Sequence, residues 1–344
     1  MISDKQTNVV YLAEGLKHYM PAYEKLLGAL NARQIHMKSL PLTKSKKHIW
    51  ARDYMPIQLD KGRFLQYVYH PDYLHGFEDF IPDYRGICKE LGLECVSTEI
   101  VLDGGNVVKC GDKVIMTDKI IEENPMRFYM DMLKELENHF QAQIVLIPRD
   151  KYDRYGHADG MVRWIDGNRV LLNNYADFDP KLGKEVKAAM SEHFTVEELR
   201  YGTNKHLKVN WAYINFLQVD GEIFVPGLGI EEDQMAVEQI RKFYPDYNVR
   251  LVPDCLNIIK DGGALNCVSW NILADAAEWP KEYEAEKIGN QVDTAVTKTI
   301  DKIKRLLRGL EESLDDFGHS VRDSLIKVQS PEEDSASVQP KYQI

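Results

Sequence analysis

The chain has 344 residues, of which 44% are hydrophobic and 28% charged, and a net charge of −11. These values are ordinary for a globular protein of one or two domains with a full core, and the acidic balance argues against nucleic acid as a partner while suiting a site for a small cation. No apolar run approaches the roughly 20 residues of a membrane span, and residues 1–6 lack the apolar core of a secretory signal. We therefore expect no membrane partner and a cytoplasmic location.

The predicted elements begin with a strand at residues 8–12 and a helix at 19–30. Four hairpins follow, each made of two β-rich runs around a tight Asp/Gly turn, which is a strong hairpin signal. Their turns recur about every 50 to 55 residues, a spacing typical of repeat architectures. The predicted hairpins lie at residues 53–65, 106–116, 161–172 and 214–225.

Each hairpin is followed by a helical pattern and then a short apolar strand. The predicted pairs are 84–91 with 93–101, 125–140 with 143–148, and 231–244 with 249–253, and the third hairpin is followed by a helix at 180–194. After Cys267 no hairpin turn follows, so the N-terminal strand is expected to complete this last unit. The sequence therefore predicts an α+β ring of five ββαβ-like units without free sheet edges.

The ring is expected to occupy residues 1–280. A charged amphipathic helical extension is predicted at 281–328, and a disordered tail at 329–344. The extension either packs within the chain or makes a subunit contact, so a homo-oligomer stays an open expectation.

In such a ring, equivalent positions of the units face one central channel. The expected members, each at or just before the first strand of its unit, are Asp53, Asp103, His157, Asn215 and Cys267. Five cysteines form an odd set without metal-ligand spacing, so we expect reduced thiols and no metal site.

Five motifs in this order resemble the agmatine deiminase and bacterial peptidyl-arginine deiminase family of guanidino-group-modifying enzymes. They are Trp50-x-Arg52-Asp53, Asp103-Gly104-Gly105-Asn106, His157-x-Asp159, Tyr213-Ile214-Asn215 and Gly262-Gly263-x-x-x-Cys267. The resemblance covers about residues 8 to 275. It implies a five-bladed α/β propeller with pseudo-fivefold symmetry (the pentein fold), in agreement with the repeats.

The resemblance also implies roles for individual residues. Cys267 would be the nucleophile and His157 the general acid and base. Asp53 and Asp159 would hold the guanidinium, and Asp103, where many relatives carry glutamate, would support the histidine. Trp50 would line the substrate site, and no metal or organic cofactor would be needed. Further candidate substrate contacts are Arg52, Asn215, Gly263 and Asn266.

A guanidinium is planar and permanently charged, so two carboxylates can bind and orient it for attack by a thiolate. We therefore expect a hydrolase that deiminates a guanidino substrate through a cysteine thiouronium, with agmatine giving N-carbamoylputrescine and ammonia. The alternatives are a peptidyl-arginine or free-arginine deiminase, an amidinotransferase, and a non-catalytic ring that binds a cationic ligand. Agmatine deiminases typically have histidine before the cysteine, whereas this chain has Asn266, so the surroundings of the substrate's tail differ.

Overall fold

The computed structural model describes residues 1–40, 48–203 and 205–275, and these contain five three-stranded sheets. In each sheet an antiparallel pair is extended by a third strand that runs parallel to the middle one. The strands are β1 (Val9–Ala13), β2 (His36–Leu40), β3 (Ile57–Asp60), β4 (Arg63–Val68), β5 (Glu94–Val101), β6 (Val108–Cys110), β7 (Lys113–Thr117), β8 (Gln143–Ile147), β9 (Val162–Asp166), β10 (Arg169–Leu172), β11 (Thr195–Glu198), β12 (Leu217–Val219), β13 (Glu222–Pro226), β14 (Asn248–Val252) and β15 (Ser269–Ile272).

A helical connection links the middle strand of every sheet to its parallel neighbour. The helices of these connections are α1 (Ala22–Ala32), α3 (Tyr84–Glu90), α4 (Lys119–Glu122), α5 (Tyr129–Phe140), α6 (Tyr175–Phe178), α7 (Pro180–Met190) and α8 (Glu232–Phe243), whereas α2 (Ala51–Tyr54) and α9 (Leu256–Lys260) precede β3 and β15. Four sheets use consecutive strands, which confirms the predicted ββαβ repeat and the α+β fold.

The fifth sheet closes the ring as predicted. Its order is β15-β1-β2, with β1 antiparallel to β15, where Val9 faces Ile272, and parallel to β2. Since the first and last described strands share a sheet, the two ends of this region hold each other in place.

The hairpin turns and helix starts follow from local chemistry. Gly111 and Gly221 both have φ of +72° in their turns, which glycine adopts without strain. Helix α7 begins with Pro180, and the Asp179 side chain accepts a hydrogen bond from the Leu182 amide, so this start is capped. Helix α5 begins at Tyr129 and not at the predicted residue 125, because the Arg127 amide bonds to the Asn124 carbonyl and closes a separate turn.

Helices pack on the sheets through one apolar face. In α5 the buried residues Met132, Leu136 and Phe140 are four positions apart, as expected for an amphipathic helix. Burial of each such side chain contributes about 1.5–3 kcal/mol. This packing holds the sheets in place around the ring. The segments that lead into the first strand of each sheet meet at the centre of the ring.

These central segments are linked by hydrogen bonds from one unit to the next around the ring. The bonds are Gly105 N to Asp53 Oδ1 (3.1 Å), Ala158 N to Asn106 Oδ1 (3.3 Å), Asn215 Nδ2 to Asp159 O (3.4 Å), Asn266 N to Asn215 O (3.0 Å) and Arg52 N to Cys267 O (3.0 Å). The circuit is closed, so side chains far apart in sequence are fixed relative to one another.

Two sequence predictions lie outside the described residues, namely the helical extension at 281–328 and the tail at 329–344. Across residues 1–40, 48–203 and 205–275, every helix is too short or too polar to cross a membrane.

Candidate active site

His157 lies between two carboxylates at the centre of the ring. Its Nε2 donates to Asp103 Oδ2 at 2.7 Å, and its Nδ1 lies 3.5 Å from Asp53 Oδ1. Asp53 comes from α2, Asp103 precedes the 3-10 turn Gly104–Asn106, and His157 precedes the turn Ala158–Gly160. The motif His157-x-Asp159 therefore lies at a helical turn, just before β9.

The two carboxylates determine the charge of the imidazole. Burial alone would lower the pKa of His157, but the charge of Asp53 and the hydrogen bond to Asp103 raise it to about 9. Burial raises the pKa of Asp53 to about 7, although the histidine opposes this shift. Asp103 behaves differently: its burial is outweighed by His157 and a neighbouring lysine, and its pKa is lowered. At neutral pH the imidazole is thus a cation that can donate a proton.

Cys267 is held by the amide side chain of Asn215. Asn215 Oδ1 accepts hydrogen bonds from the backbone amides of Ala264, at 3.2 Å, and Cys267, at 3.3 Å. These bonds fix the loop that carries the thiol just before β15. The thiol then lies 3.6 Å from Asp159 Oδ2, so the thiol and the carboxylate are in contact.

The environment of the thiol disfavours its anion. Burial, Asp159 and Asp53 together raise the pKa of Cys267 well above the ordinary value. A planar cation between the carboxylates would neutralise their charge and favour the thiolate. The arrangement is therefore suited to a nucleophile that a cationic substrate activates.

Trp50, Asp53, His157, Asp159, Asn215 and Cys267 all open onto one cavity of about 440 Å³. This volume is within the range of small-molecule sites. Much of the remaining wall is aromatic, and charged side chains are also present. Further wall residues are Tyr155, Tyr175, Phe178, Trp211, Asp150, Asp153, Arg154 and Lys208.

Two other predicted contacts lie directly behind the cavity wall. Asn266 is buried and its Nδ2 donates to Asp159 Oδ2 at 2.6 Å, so it orients that carboxylate. Gly263 packs against the Trp50 ring and Cys267, where a Cβ atom would clash. Both residues support side chains of the cavity. Neither belongs to its lining, although both were predicted to contact the substrate.

Arg52 lies elsewhere, and its predicted contact with substrate requires correction. Its guanidinium donates to Asn271 Oδ1 and lies 3.6 Å from Asp4 Oδ1, in a second, smaller cavity. Successive residues of a helical turn point about 100° apart, so Arg52 and Asp53 face different directions.

Sequence reasoning missed Lys119 and Tyr155. Lys119 is fully buried, and its Nζ lies 2.7 Å from Asp103 Oδ2. Tyr155 lines the cavity, and its hydroxyl donates to the Asp261 carbonyl at 3.0 Å, which ties the loop before His157 to the cysteine loop. The position of Tyr155 two residues before His157 was the available signal, whereas an isolated lysine gave none.

Possible metal ligands cluster outside this cavity lining. Ligand atoms of His206, Glu231 and Glu232 lie within 4.8 Å of one another. His206 Nδ1 already donates to Glu232 at 2.8 Å, and Glu231 pairs with Lys205 at 3.1 Å. These groups are satisfied by protein partners.

The fold and the site place the protein in the class of guanidino-group-modifying α/β propellers. Residues 4–272 match the model of the Porphyromonas-type peptidyl-arginine deiminase family. The chain therefore belongs to that family, which confirms the resemblance drawn from the motifs.

Curated relatives and solved structures are similar to the chain at low identity. A protein of Streptococcus mutans named "Putative agmatine deiminase" is 24% identical over 224 residues, which are 54% of this chain and 60% of that protein. The chain thus spans somewhat more than half the length of the curated relatives it matches.

Among solved structures, agmatine deiminase of Enterococcus faecalis superposes with a TM-score of 0.63 and 17% identity, covering 82% of this chain and 96% of that one. A substrate-bound agmatine deiminase of C. jejuni gives a TM-score of 0.64 and 16% identity, covering 78% and 95%. At this identity the likeness supports the fold alone.

Proposed function

We propose that the protein is a hydrolase that deiminates a small guanidino compound through a covalent intermediate on Cys267. The observation that carries the proposal is the shared cavity of Cys267, His157, Asp53 and Asp159, in which the thiol lies 3.6 Å from a carboxylate. Few reactions need a buried thiol, an imidazolium and two carboxylates around one small volume. The attack of a thiolate on a planar cation is one of them.

In the proposed first half-reaction, Asp53 and Asp159 bind the guanidinium, the Cys267 thiol loses its proton to solvent as the cation binds, and the resulting thiolate attacks the guanidinium carbon. An S–C bond forms and a tetrahedral adduct results. His157, which is protonated at neutral pH, gives its proton to the leaving nitrogen. The C–N bond breaks, ammonia leaves, and a positively charged thiouronium remains on the cysteine.

In the second half-reaction the neutral His157 takes a proton from water, and the resulting hydroxide attacks the thiouronium carbon. The C–S bond breaks, so the thiolate is regenerated and the carbon retains the new oxygen. The proton that the new hydroxyl group loses as the C=O bond forms ends on ammonia. The products are a ureido compound and ammonium, and the atoms and charges balance with water as the only co-reactant.

Agmatine is the first candidate substrate, in keeping with the names of the relatives and the acidic residues Asp150 and Asp153 in the cavity wall. An ammonium at the substrate's tail would be favoured near these carboxylates. Free arginine is the second candidate, because Arg154 and Lys208 in the same wall are complementary to a carboxylate.

Purified protein is incubated with agmatine, arginine, an arginine peptide and methylguanidine, and ureido product and ammonia are measured. We expect equimolar ureido product and ammonia from one of these compounds, and no product with the Cys267→Ala variant. Amine-dependent product without ammonia would favour an amidinotransferase, and no turnover of any guanidine by the reduced protein would contradict the proposal.

A further inference from the structure

Lys119, the first residue of α4, is a fully buried lysine beside the candidate site. Its Nζ lies 2.7 Å from Asp103 Oδ2, 2.8 Å from Glu123 Oε1 and 3.4 Å from Asp72 Oδ1. It also lies 4.8 Å from the centre of the Tyr73 ring. A buried ammonium is costly unless several partners compensate, so this position is strongly specified.

Lys119 and His157 share one oxygen atom. Asp103 Oδ2 accepts from Lys119 Nζ and from His157 Nε2, both at 2.7 Å, while Asp103 Oδ1 is buried and receives no hydrogen bond from the residues that the structure describes. The orientation of the carboxylate therefore depends on these two donors at a single atom. Without the lysine, the imidazole alone would hold the aspartate.

We propose that Lys119 is a positioning residue for the guanidine chemistry, which fixes Asp103 against His157 and balances the carboxylates that flank the imidazole. The catalytic consequence of this inference rests on the proposed function. The contact of Lys119 with Asp103 and the charge balance around His157 can be tested without turnover.

The charge balance follows from the groups around the imidazole. Asp53 and Asp103 raise the pKa of His157 to about 9 against the effect of burial, and Lys119 acts in the opposite direction. The other titratable or charged groups packed around His157 and Lys119 come from the residue that follows α4, from residues 72–73, from residues 153–159 and from the cysteine loop. They are Glu123, Asp72, Tyr73, Asp153, Tyr155, Asp159 and Cys267.

The two half-reactions need opposite states of His157. Ammonia release needs the imidazolium, whereas activation of water needs the neutral imidazole. Loss of the Lys119 charge would hold the proton on His157 more tightly, so the imidazolium would be a weaker acid and the first half would slow, while the neutral imidazole, once formed, would remain a base able to activate water. The lysine thus keeps one imidazole usable in both steps.

The experiment compares Lys119→Met with Lys119→Arg, which keeps the charge. The His157 imidazole is titrated by NMR without substrate, with its signal assigned by comparison with His157→Gln. We expect the midpoint to rise by roughly one pH unit in Lys119→Met and to return towards the wild-type value in Lys119→Arg. With a turned-over guanidine, rapid quenching should show slower first release of ammonia in Lys119→Met, without a burst, and kcat about 10-fold or more lower.

Lys109→Met is the matched control, because Lys109 is another almost buried lysine, 2.9 Å from Asp4, in the smaller cavity. It should lose comparable thermal stability and leave the His157 midpoint and the ratio of the two half-reactions unchanged. If Lys119→Met does not fold, Glu123→Gln tests the same charge balance with the opposite sign, since the freed lysine should lower the His157 midpoint.

An unchanged His157 midpoint in both Lys119→Met and Glu123→Gln would overturn the role of Lys119 while leaving the proposed function intact. A shifted midpoint in a protein that turns over no guanidine would instead contradict the proposed function. Equal slowing of both half-reactions in Lys119→Met and Lys109→Met would reduce Lys119 to a structural residue.

Discussion

The thiol of Cys267 and the carboxylate of Asp159 are 3.6 Å apart, and this contact disfavours the thiolate in the free protein. Burial, Asp159 and Asp53 raise the pKa of Cys267 well above its usual range. The same carboxylates are the groups that would bind a guanidinium. In the proposed reaction, binding would therefore be coupled to activation, because a cation between the carboxylates would offset their effect on the thiol.

This coupling predicts opposite effects of Asp159→Asn on two measurements. Loss of the carboxylate charge should lower the pKa of Cys267, so alkylation by iodoacetamide at neutral pH should be faster than in the wild type. Turnover of the guanidine should fall by about 10³-fold, because the cation loses a charged partner and its orientation.

Both rates are measured on the same preparation, and Cys267→Ala identifies alkylation at this thiol. Slower alkylation of Asp159→Asn, or turnover close to that of the wild type, would contradict the coupling.

The pH dependence of kcat/KM should be bell-shaped. The pKa of Asp53 is raised to about 7 by burial, so below this pH the carboxyl is neutral and binds the cation poorly. The pKa of His157 is raised to about 9, so above this pH the imidazole lacks the proton for the leaving nitrogen. The substrate stays charged throughout, since a guanidinium has a pKa above roughly 12.

The two limbs belong to the interacting pair and not to either residue alone, because their side chains are 3.5 Å apart. Initial rates from pH 5 to 10 on wild type and Asp53→Asn check this. The Asp53→Asn variant should be much less active, and its pH profile should lose the limb near pH 7. If the limb near pH 7 remains, it belongs to a group other than Asp53.

The ring and most of its centre were predictable from the sequence, since turn chemistry repeats locally. Asp-Gly or Gly-Asp turns mark four hairpins. The unit after Cys267 lacks such a turn, and this predicted that the N-terminal strand β1 pairs with β15. Once the units were aligned, the convergence of Asp53, His157 and Cys267 on one cavity followed from their equivalent positions.

What the sequence did not reveal depends on contacts between distant segments. The burial of Lys119 results from carboxylates in three segments, at Asp72, Asp103 and Glu123, and no local pattern marks it. The direction of Arg52 is set by a hydrogen bond to Asn271 and by Asp4, 3.6 Å away, at opposite ends of the region. Both are charged residues whose positions depend on tertiary partners.

Asp4 should contribute to stability through three cations. Its carboxylate lies 2.9 Å from Lys109, 3.3 Å from Arg163 and 3.6 Å from Arg52. Burial would raise the pKa of Asp4, but these three cations outweigh it and lower the pKa. A group whose pKa is lower in the folded protein stabilises it above the unfolded value near 3.9, and this stabilisation is lost as the pH falls further.

Asp4→Asn should therefore lower the free energy of unfolding at pH 7 by about 3 kcal/mol, because buried cations lose their counter-ion. The difference from the wild type should shrink below about pH 4. Urea unfolding at several pH values measures both effects, with exposed Asp79→Asn as the control. A difference that is absent at pH 7, or constant into the acid range, would rule out this role.

Gly263 should be essential for the position of the nucleophile. A Cβ atom at this residue would clash with the six-membered ring of Trp50 and lie 3.0 Å from the Cβ of Cys267. Since all three groups are buried or packed at the cavity wall, relief of the clash must displace either the indole or the loop that carries the thiol. A displacement of about 1 Å can reduce a rate about 10²-fold.

Gly263→Ala is therefore expected to lower kcat by about 10²-fold while the protein remains folded. Gly28→Ala is the matched control, because Gly28 lies within α1 with open space around its Cβ position. That control should keep full activity and gain up to about 1 kcal/mol of stability, since alanine favours the helix. Turnover and thermal unfolding are measured on both variants. A wild-type kcat in a folded Gly263→Ala protein would show that the added methyl group is tolerated and that the close contact with Trp50 does not position the thiol.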